Sequence, residues 1–559
     1  MKYVGTGRDS AMARLVSEHF DVLVIGGGIT GAGIALDAAT RGLRAALVDR
    51  GDLASGTSSR SSKLVHGGLR YLRQREFALV GQNLAERQRL LRNAPHLVRP
   101  VPFVIPLLSP LGARLGLADR MLAGGWSAAL WGYDLAGGFR IGSRHLRLTA
   151  QEVVARLPGV APDLVAGGFV YQDAQADDAR LTLAVARTAI DQGAVVVTHA
   201  PVTSLVKGRY GRVAGAGLAG GSTVLADAVV NATGVWADGL RSLDGDPAPP
   251  CLAPARGAHL TLPRDRLAWT SAAVVPGGGG RSVFVVPWGD QVYIGTTDTV
   301  HHGPLDDPRC SSAEVDYLLA AVNAVLTEPL RRRDVVATWA GLRPLVAGSP
   351  LSAAGPATAD LSRRHRVAVS PSGMVTVIGG KLTTYRAMAA DAVDVVGRQL
   401  RRGARRSGTA RLALHGAAGT SALRGDGAAA RLGVPPEVLD HLVGRHGGEA
   451  AELVKLVAAD VRLGRPLVAG QPYLAVEAVW AARHELAHTL DDVLSRRTRA
   501  SVLGAEAAAR AAPAVAALVG GELGWSAARE CEEVAAFRAG VEQERLSAGR
   551  DPVPVLVPR

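Results

Sequence analysis

The stretch DVLVIGGGITGAGIALDAATRGLRAALVDR, residues 21 to 50, constrains this chain more than any other. Asp21 to Ile25 is a short apolar run suited to a buried parallel strand. A glycine turn follows, then a helix from Ile29 to Thr40 with small residues toward a sheet. Gly42 closes that helix, and Leu43 to Val48 forms the next strand. Gly26, Gly28 and Gly31 make a GxGxxG fingerprint. The first permits the tight turn, the second lets the backbone approach a pyrophosphate, and the third lets helix and strand pack closely. The helix N-terminus then offers free N–H groups and a positive dipole end to phosphates. Asp49, at the end of the second strand, suits a ribose hydroxyl and repels a 2′-phosphate. The expectation is an α/β chain with a Rossmann-type dinucleotide-binding unit.

Three further features favour FAD over NAD. NATG, residues 231 to 234, ends a strand where a second glycine turn, at Gly234, closes over a nucleotide. A serine-rich loop, ASGTSSRSSKLVHGGLRYL, follows Asp49 almost at once. Late in the chain GGKLTTYR, with Gly380, Leu382 and Thr383, opens another helix, whose N-terminus suits the flavin edge where negative charge appears on reduction. No second GxGxxG joining a strand to a helix is present for a nicotinamide nucleotide, so electrons are expected from the substrate and not from NAD(P)H.

Between these landmarks β signals dominate from about 165 to 300 (AVVVTH, SLVK, DAVVNATG, HLTL, SVFVVPW, VYIGTTD). A strand from Val375 to Ile378 precedes the GGKLTTYR turn. Residues 1 to 18 read as a loose tail. RRGARRSGTARLALHGAAGTS, from 401, reads as a linker to an Ala- and Leu-rich helical region. No uninterrupted apolar run approaches the roughly 18 residues that span a bilayer.

Lys+Arg number 63 against 50 Asp+Glu, a formal charge of +13. That excess favours anionic ligands and surfaces. The basic residues are scattered and no binding motif accompanies them, so nucleic acid is not expected as a partner. Three cysteines, Cys251, Cys310 and Cys531, form neither a disulfide framework nor a thiolate zinc site. A reducing, cytoplasmic setting fits.

Taken together, SSKLVHGGLRYL, ARGAHLTLP, VFVVPWGDQVYIGTTD, TWAGLRPL and GGKLTTYR resemble the aerobic, FAD-dependent glycerol-3-phosphate dehydrogenases, from about residue 19 to 400 and more weakly beyond. The resemblance implies a D-amino-acid-oxidase-type fold: a Rossmann-type FAD-binding domain, a β-rich substrate domain and a C-terminal α-helical domain. The expected division is an FAD-binding domain in three segments (19–95, 171–245 and 359–402), a substrate or cap segment 96–170, a β-rich substrate domain 246–358 and a helical domain 403–545. It implies oxidation of sn-glycerol 3-phosphate to dihydroxyacetone phosphate, with electrons passed to a quinone; a glycerol-3-phosphate oxidase using oxygen is the nearest alternative. By the same resemblance Thr57, Ser58, Ser62, Lys63, Leu64 and His66 line the flavin and its phosphates, while Arg70, Tyr71, His259, Arg343 and Lys381 face the substrate. A phosphate dianion calls for several cations, and arginine binds it bidentately. His259 is the first candidate for the base that takes the hydroxyl proton, since an unperturbed histidine titrates near ~6.5; the residues leave open whether it only orients that hydroxyl.

A quinone lives in the bilayer, so contact with an anionic membrane at the inner face of the cell membrane is expected to be peripheral. The apolar stretch from about 101 to 139, with Trp126 and Trp131, is the candidate surface. A homodimer is compatible with the sequence, which does not decide oligomeric state. HELAH, residues 484 to 488, matches HExxH on an expected helix, the pattern of a zinc metalloprotease. It lacks the HxxGxxH continuation and any third ligand, so no metal is expected and these residues read as helix-face and interface contacts.

Overall fold

The computed structural model describes residues 7–69, 76–109, 117–135, 137, 144–278, 281–347, 365–401 and 405–551. Two large sheets organise them. In the first, His19–Ile25 lies between Ala45–Val48 and Thr223–Asn231, parallel to both. Val195–Val197 extends one side and Val375–Ile378 the other, again parallel, and Arg366–Val369 closes that edge antiparallel. The pleat sends alternate side chains to opposite faces. Val22 and Val24 pack with the helices Ile29–Thr40, Asp178–Asp191 and Tyr385–Gln399. Leu23 and Ile25 face the other way, against a hairpin of Val202–Lys207 and Val213–Leu218.

That second face carries a departure from expectation. The supposed loose tail contains a helix, Gly7–Ser17, whose Leu15 is fully buried among Leu23, Ile25 and Val48. Arg8 ties it down by donating to the His199 carbonyl at 3.0 Å. The reason is local: alanine, methionine and leucine favour helix, with Asp9 in the first turn and Arg14 in the last to suit the dipole.

The second sheet has ten strands, nearly all antiparallel. Val98–Leu108 pairs with Val165–Ala176 along its length. This strand corrects part of the expected membrane surface: Phe103, Val104, Ile105 and Leu107 are buried in it. Pro100, Pro102 and Pro106 all sit at even positions, so their missing N–H groups fall on one side of the strand and leave the other ladder whole. The helix Leu117–Leu135 does keep an open face, with Trp131 half-exposed and Leu135 exposed. Ala255–Pro263 pairs with Gln291–Gly295 on one side and Ala337–Arg343 on the other. That register sets His259 between Gly295 and Trp339.

Helices from Thr420–Leu423 to Ala527–Ser547 complete the chain around their own apolar clusters. Residues 405–419 are not a free linker: Leu414 is buried in the first sheet's core, and its N–H donates to the Asn93 carbonyl at 2.8 Å. HELAH also departs from its expected helix. Ala475–His484 ends at its first residue, and Leu486 takes a left-handed φ of 56°. Glu485 is fully buried and accepts from Arg180 at 2.6 Å, which pins the helical region to the helix Asp178–Asp191. No cluster of three metal-ligating side chains occurs among the described residues, and no helix there is long and apolar enough to cross a membrane.

Candidate active site

Gly26 leaves the first strand at φ +112°, where a Cβ would sit 2.6 Å from the Ala232 carbonyl oxygen. A Cβ on Gly31 would lie 1.8 Å from the Gly26 carbonyl oxygen, so only glycine lets the helix pack so closely on the strand. Gly28 is the helix N-cap in extended conformation. The Ile29 N–H donates to Ser58 Oγ at 2.9 Å, so Ser58 takes one donor of the first turn. Asp49 accepts from the Gly27 and Gly51 amides. Its burial pushes the carboxyl pKa up, against those two bonds. Asn231 Oδ1 accepts from Thr233 and shapes the turn that places Gly234 at φ 63°.

Gly26, Gly28, Ile29, Asp49, Ser58, Thr233 and Gly234 line one cavity of about 370 Å³, which also touches Thr57, Trp236, Gly380 and Leu382. The fit to FAD is direct. A helix N-terminus with a glycine at its mouth, where a Cβ would reach toward Ser58 at 3.1 Å, suits a pyrophosphate. The buried Asp49 suits the adenosine ribose. Such a volume lies in the range of small-molecule sites.

A second cavity, of about 190 Å³, adjoins the first through Thr57, Ser58, Gly379, Gly380, Lys381 and Leu382. Its walls bring together Ser62, Leu64, His66, His259, Arg343, Lys381 and Thr383 from four separate segments. His259 is 2% exposed and its Nε2 lies 2.8 Å from Ser62 Oγ. Its ring stacks on Trp339, centroids 4.7 Å apart and planes 4° from parallel. Gly295 makes the room: a Cβ there would fall 2.1 Å from the ring. Burial, then the charges of Lys63 and Arg343, hold the His259 pKa well below the usual histidine range. The imidazole is therefore neutral at pH 7, with an unprotonated lone pair on one ring nitrogen. Among the described residues its Nδ1 has no hydrogen-bond partner.

Arg343 ends its strand with the guanidinium fixed on several sides. It donates to Thr296 Oγ1 at 3.0 Å, the Thr297 carbonyl at 2.9 Å and Asp298 at 3.2 Å. Gly257 leaves space for it, since a Cβ there would lie 2.4 Å from Arg343 Nη2.

Lys63 departs from expectation. Its ammonium lines neither cavity; it is fully buried, 3.1 Å from Asp178 and 3.1 Å from the Ser59 carbonyl. Asp178 also accepts from the Ser61 N–H and hydroxyl, so the pair braces the serine-rich loop from behind. Burial lowers the Lys63 pKa to about 8. Arg70 and Tyr71 lie outside the described residues. Sequence reasoning missed the contact of Ser62 with His259, the Trp339 stack and the Thr296–Asp298 cradle of Arg343. Their motifs, TWAG and GTTD, stood in the sequence without a hint of which partner each would meet.

Residues 21–386 match a family model described as FAD dependent oxidoreductase, and residues 407–530 match one described as the C-terminal domain of alpha-glycerophosphate oxidase. A Mycobacterium tuberculosis protein named Glycerol-3-phosphate dehydrogenase 2 is 41% identical over 548 residues, 97% of this chain and 91% of that protein. The mouse protein named Glycerol-3-phosphate dehydrogenase, mitochondrial, is 37% identical over 544 residues, 92% of this chain and 72% of its own length. Among solved structures, the glycerol-3-phosphate dehydrogenase from Bacillus halodurans complexed with FAD superposes with a TM-score of 0.78. It is 28% identical and covers 99% of this chain and 100% of that one.

Proposed function

This chain belongs to the FAD dependent oxidoreductase family, and on that premise we propose that it oxidises sn-glycerol 3-phosphate to dihydroxyacetone phosphate and passes the electrons to a quinone. The observation that carries the reading is a neutral, buried His259 in one small cavity with Arg343 and Lys381, opening onto the nucleotide cavity. The names of the close relatives support the substrate.

FAD, when bound, supplies the acceptor for the hydride that leaves the substrate C2. The chain's own residues do the rest. Gly26, Gly28 and the helix start receive the pyrophosphate, with Asp49 at the ribose and Gly31 keeping helix and strand in contact. Thr57, Ser58, Gly234, Gly380, Leu382 and Thr383 complete the nucleotide walls, and Leu64 and His66 close the side toward the substrate. Arg343, oriented by Asp298, offers a fixed fork to the phosphate, and Lys381 adds a second cation. His259 takes the hydroxyl proton. Ser62 holds its Nε2 at the cavity wall, and the Trp339 stack fixes the ring plane. Burial keeps bulk water from protonating the ring.

The exposed apolar face of the helix Leu117–Leu135 supports a quinone as the acceptor. Trp131 and Leu135 there, with Phe77, suit the headgroup boundary of an anionic membrane on its inner face. Two assays test the reading. Glycerol 3-phosphate should be turned over rapidly with a soluble quinone and plain glycerol very poorly; equal rates would show that no phosphate pocket operates. Rapid peroxide formation without quinone activity would make oxygen the acceptor instead.

A further inference from the structure

We propose that Arg497 and Arg499, in the helical region, are positioning residues for the reaction. They hold the serine-rich loop from behind and so set where it presents Ser58 to the nucleotide and Ser62 to His259. The inference rests on the reading of His259 as the base and extends it to side chains that line neither cavity of the active site.

Residues 55–58 of the loop line the nucleotide cavity, and residues 60–62 line the substrate cavity. The arginines act at its two ends. At the start, buried Asp52 accepts from Arg497 through both oxygens, at 2.6 and 2.7 Å, and from Arg496 Nε at 2.6 Å. Arg497 is itself fixed, since it also donates to the Glu485 carbonyl at 2.7 and 2.9 Å. At the other end, buried Arg499 donates through Nη2 to the Ser59 carbonyl at 2.5 Å and to Asp178 at 3.1 Å. Lys63 binds the same carbonyl and the same carboxylate, which also accepts from the Ser61 hydroxyl. One short helical turn, Asp492–Arg497, and the two residues after it thus supply a guanidinium to each end of the loop.

The backbone bears the mark of that hold. Ala54 and Lys63, near the two ends, take left-handed φ of 61° and 55°, and Arg499 takes 67°. Residues with side chains persist at such angles where surrounding contacts over-determine them. A buried ion pair adds little stability over apolar packing of the same volume; what a bidentate guanidinium adds is a fixed direction. From the other side the substrate sheet steadies the loop. Thr57 Oγ1 donates to the Leu342 carbonyl at 2.6 Å, and the Tyr293 O–H donates to the Ser62 carbonyl at 2.8 Å. Loosening the arginine side frees Ser62 to move against His259, now 2.8 Å away, without touching Arg343 or Lys381.

Arg187 is the matched control. It joins the same helix, Asp178–Asp191, to Glu449 of the helical region at 2.6 and 2.7 Å, and among the described residues it makes no hydrogen bond or ion pair to the loop.

The test uses the FAD-loaded full chain and anaerobic flavin reduction by glycerol 3-phosphate. Arg499→Met and Arg497→Met should each slow the limiting reduction rate by about tenfold or more, while the half-saturating substrate concentration stays within about twofold, the pattern of a misplaced group and not of a lost substrate contact. Two arginines give two variants, so the failure of one to fold leaves the other. In either background Ser62→Ala should cost less than about twofold further, since the group it removes is already displaced. FAD release, followed by flavin fluorescence, needs no substrate and should quicken by about twofold or more in both variants, the loss of one neutral bond. Arg187→Met should leave the reduction rate and FAD release as in the wild type, whatever it does to thermal stability. Wild-type behaviour in the arginine variants, equal slowing in Arg187→Met, or an undiminished cost of Ser62→Ala would overturn the proposal. A wild-type flavin that glycerol 3-phosphate leaves oxidised would refute the substrate instead, and FAD release alone then decides.

Discussion

The two adjoining cavities of the active site are built in opposite ways. The nucleotide cavity is built around backbone: glycines at 26 and 28, a helix start packed on its strand through Gly31, and one carboxylate, all from a single stretch of about thirty residues, with glycine turns at 234 and 379–380 closing it. The substrate cavity is largely side chain. His259, Arg343, Ser62 and Lys381 come from strands and turns scattered over more than three hundred residues. A backbone site tolerates no added atoms and little else matters to it. A side-chain site tolerates conservative bulk, yet each function rests on one group held by others. Mutations should therefore fail abruptly in the first and by degrees in the second.

The largest expected effect is Gly31→Val. Its branched side chain would collide with the Gly26 carbonyl, an atom that cannot swing aside, so the purified protein should retain no flavin, as judged by its visible spectrum. Next, His259→Asn should slow anaerobic flavin reduction by about 100-fold or more if it removes the base. A loss below tenfold with unchanged substrate affinity would reduce His259 to an orienting group. Arg343→Ala should lower kcat/KM for glycerol 3-phosphate by roughly 10- to 150-fold, the range of a hydrogen bond to a charged group. Ser62→Ala removes a neutral bond and should cost only about 2- to 12-fold in the reduction rate. A flavin content that fell in the last three variants would erase the contrast between the two cavities.

The smallest effect concerns pH. His259 has its folded pKa held below its unfolded value of ~6.5. Between those values the unfolded chain binds the extra proton, so stability rises with pH across that window and falls as pH drops below ~6.5. Urea unfolding at pH 5 and pH 7 should show a larger gain for the wild type than for His259→Asn. An equal gain would mean that the imidazole is protonated in the folded protein.

The same contrast explains what could be read from the sequence. The helix Ile29–Thr40 and the strand Val375–Ile378 form over the residues expected of them, because local pattern and turn chemistry decide them. Lys63 lies behind the serine-rich loop, away from both cavities, because its ammonium pairs with Asp178, 115 residues downstream, which no local pattern reveals. HELAH satisfies a helical spacing, but Glu485 is drawn to Arg180 and the helix stops. The Trp339 stack arises from strand register, which no local pattern of TWAG reveals. The proline-broken stretch looked like a surface because its alternation toward two neighbouring strands was hidden by the prolines.

The central claim is that His259, Arg343 and Lys381 hold glycerol 3-phosphate and take its hydroxyl proton while the C2 hydride passes directly to FAD. The most direct measurement mixes the FAD-loaded protein with glycerol 3-phosphate without oxygen and follows the flavin absorbance in a stopped-flow instrument. The account predicts rapid, saturable bleaching in the wild type, strongly slowed in His259→Asn, with no bleaching by plain glycerol. A flavin that stays oxidised with glycerol 3-phosphate, or that bleaches equally with glycerol, would contradict it.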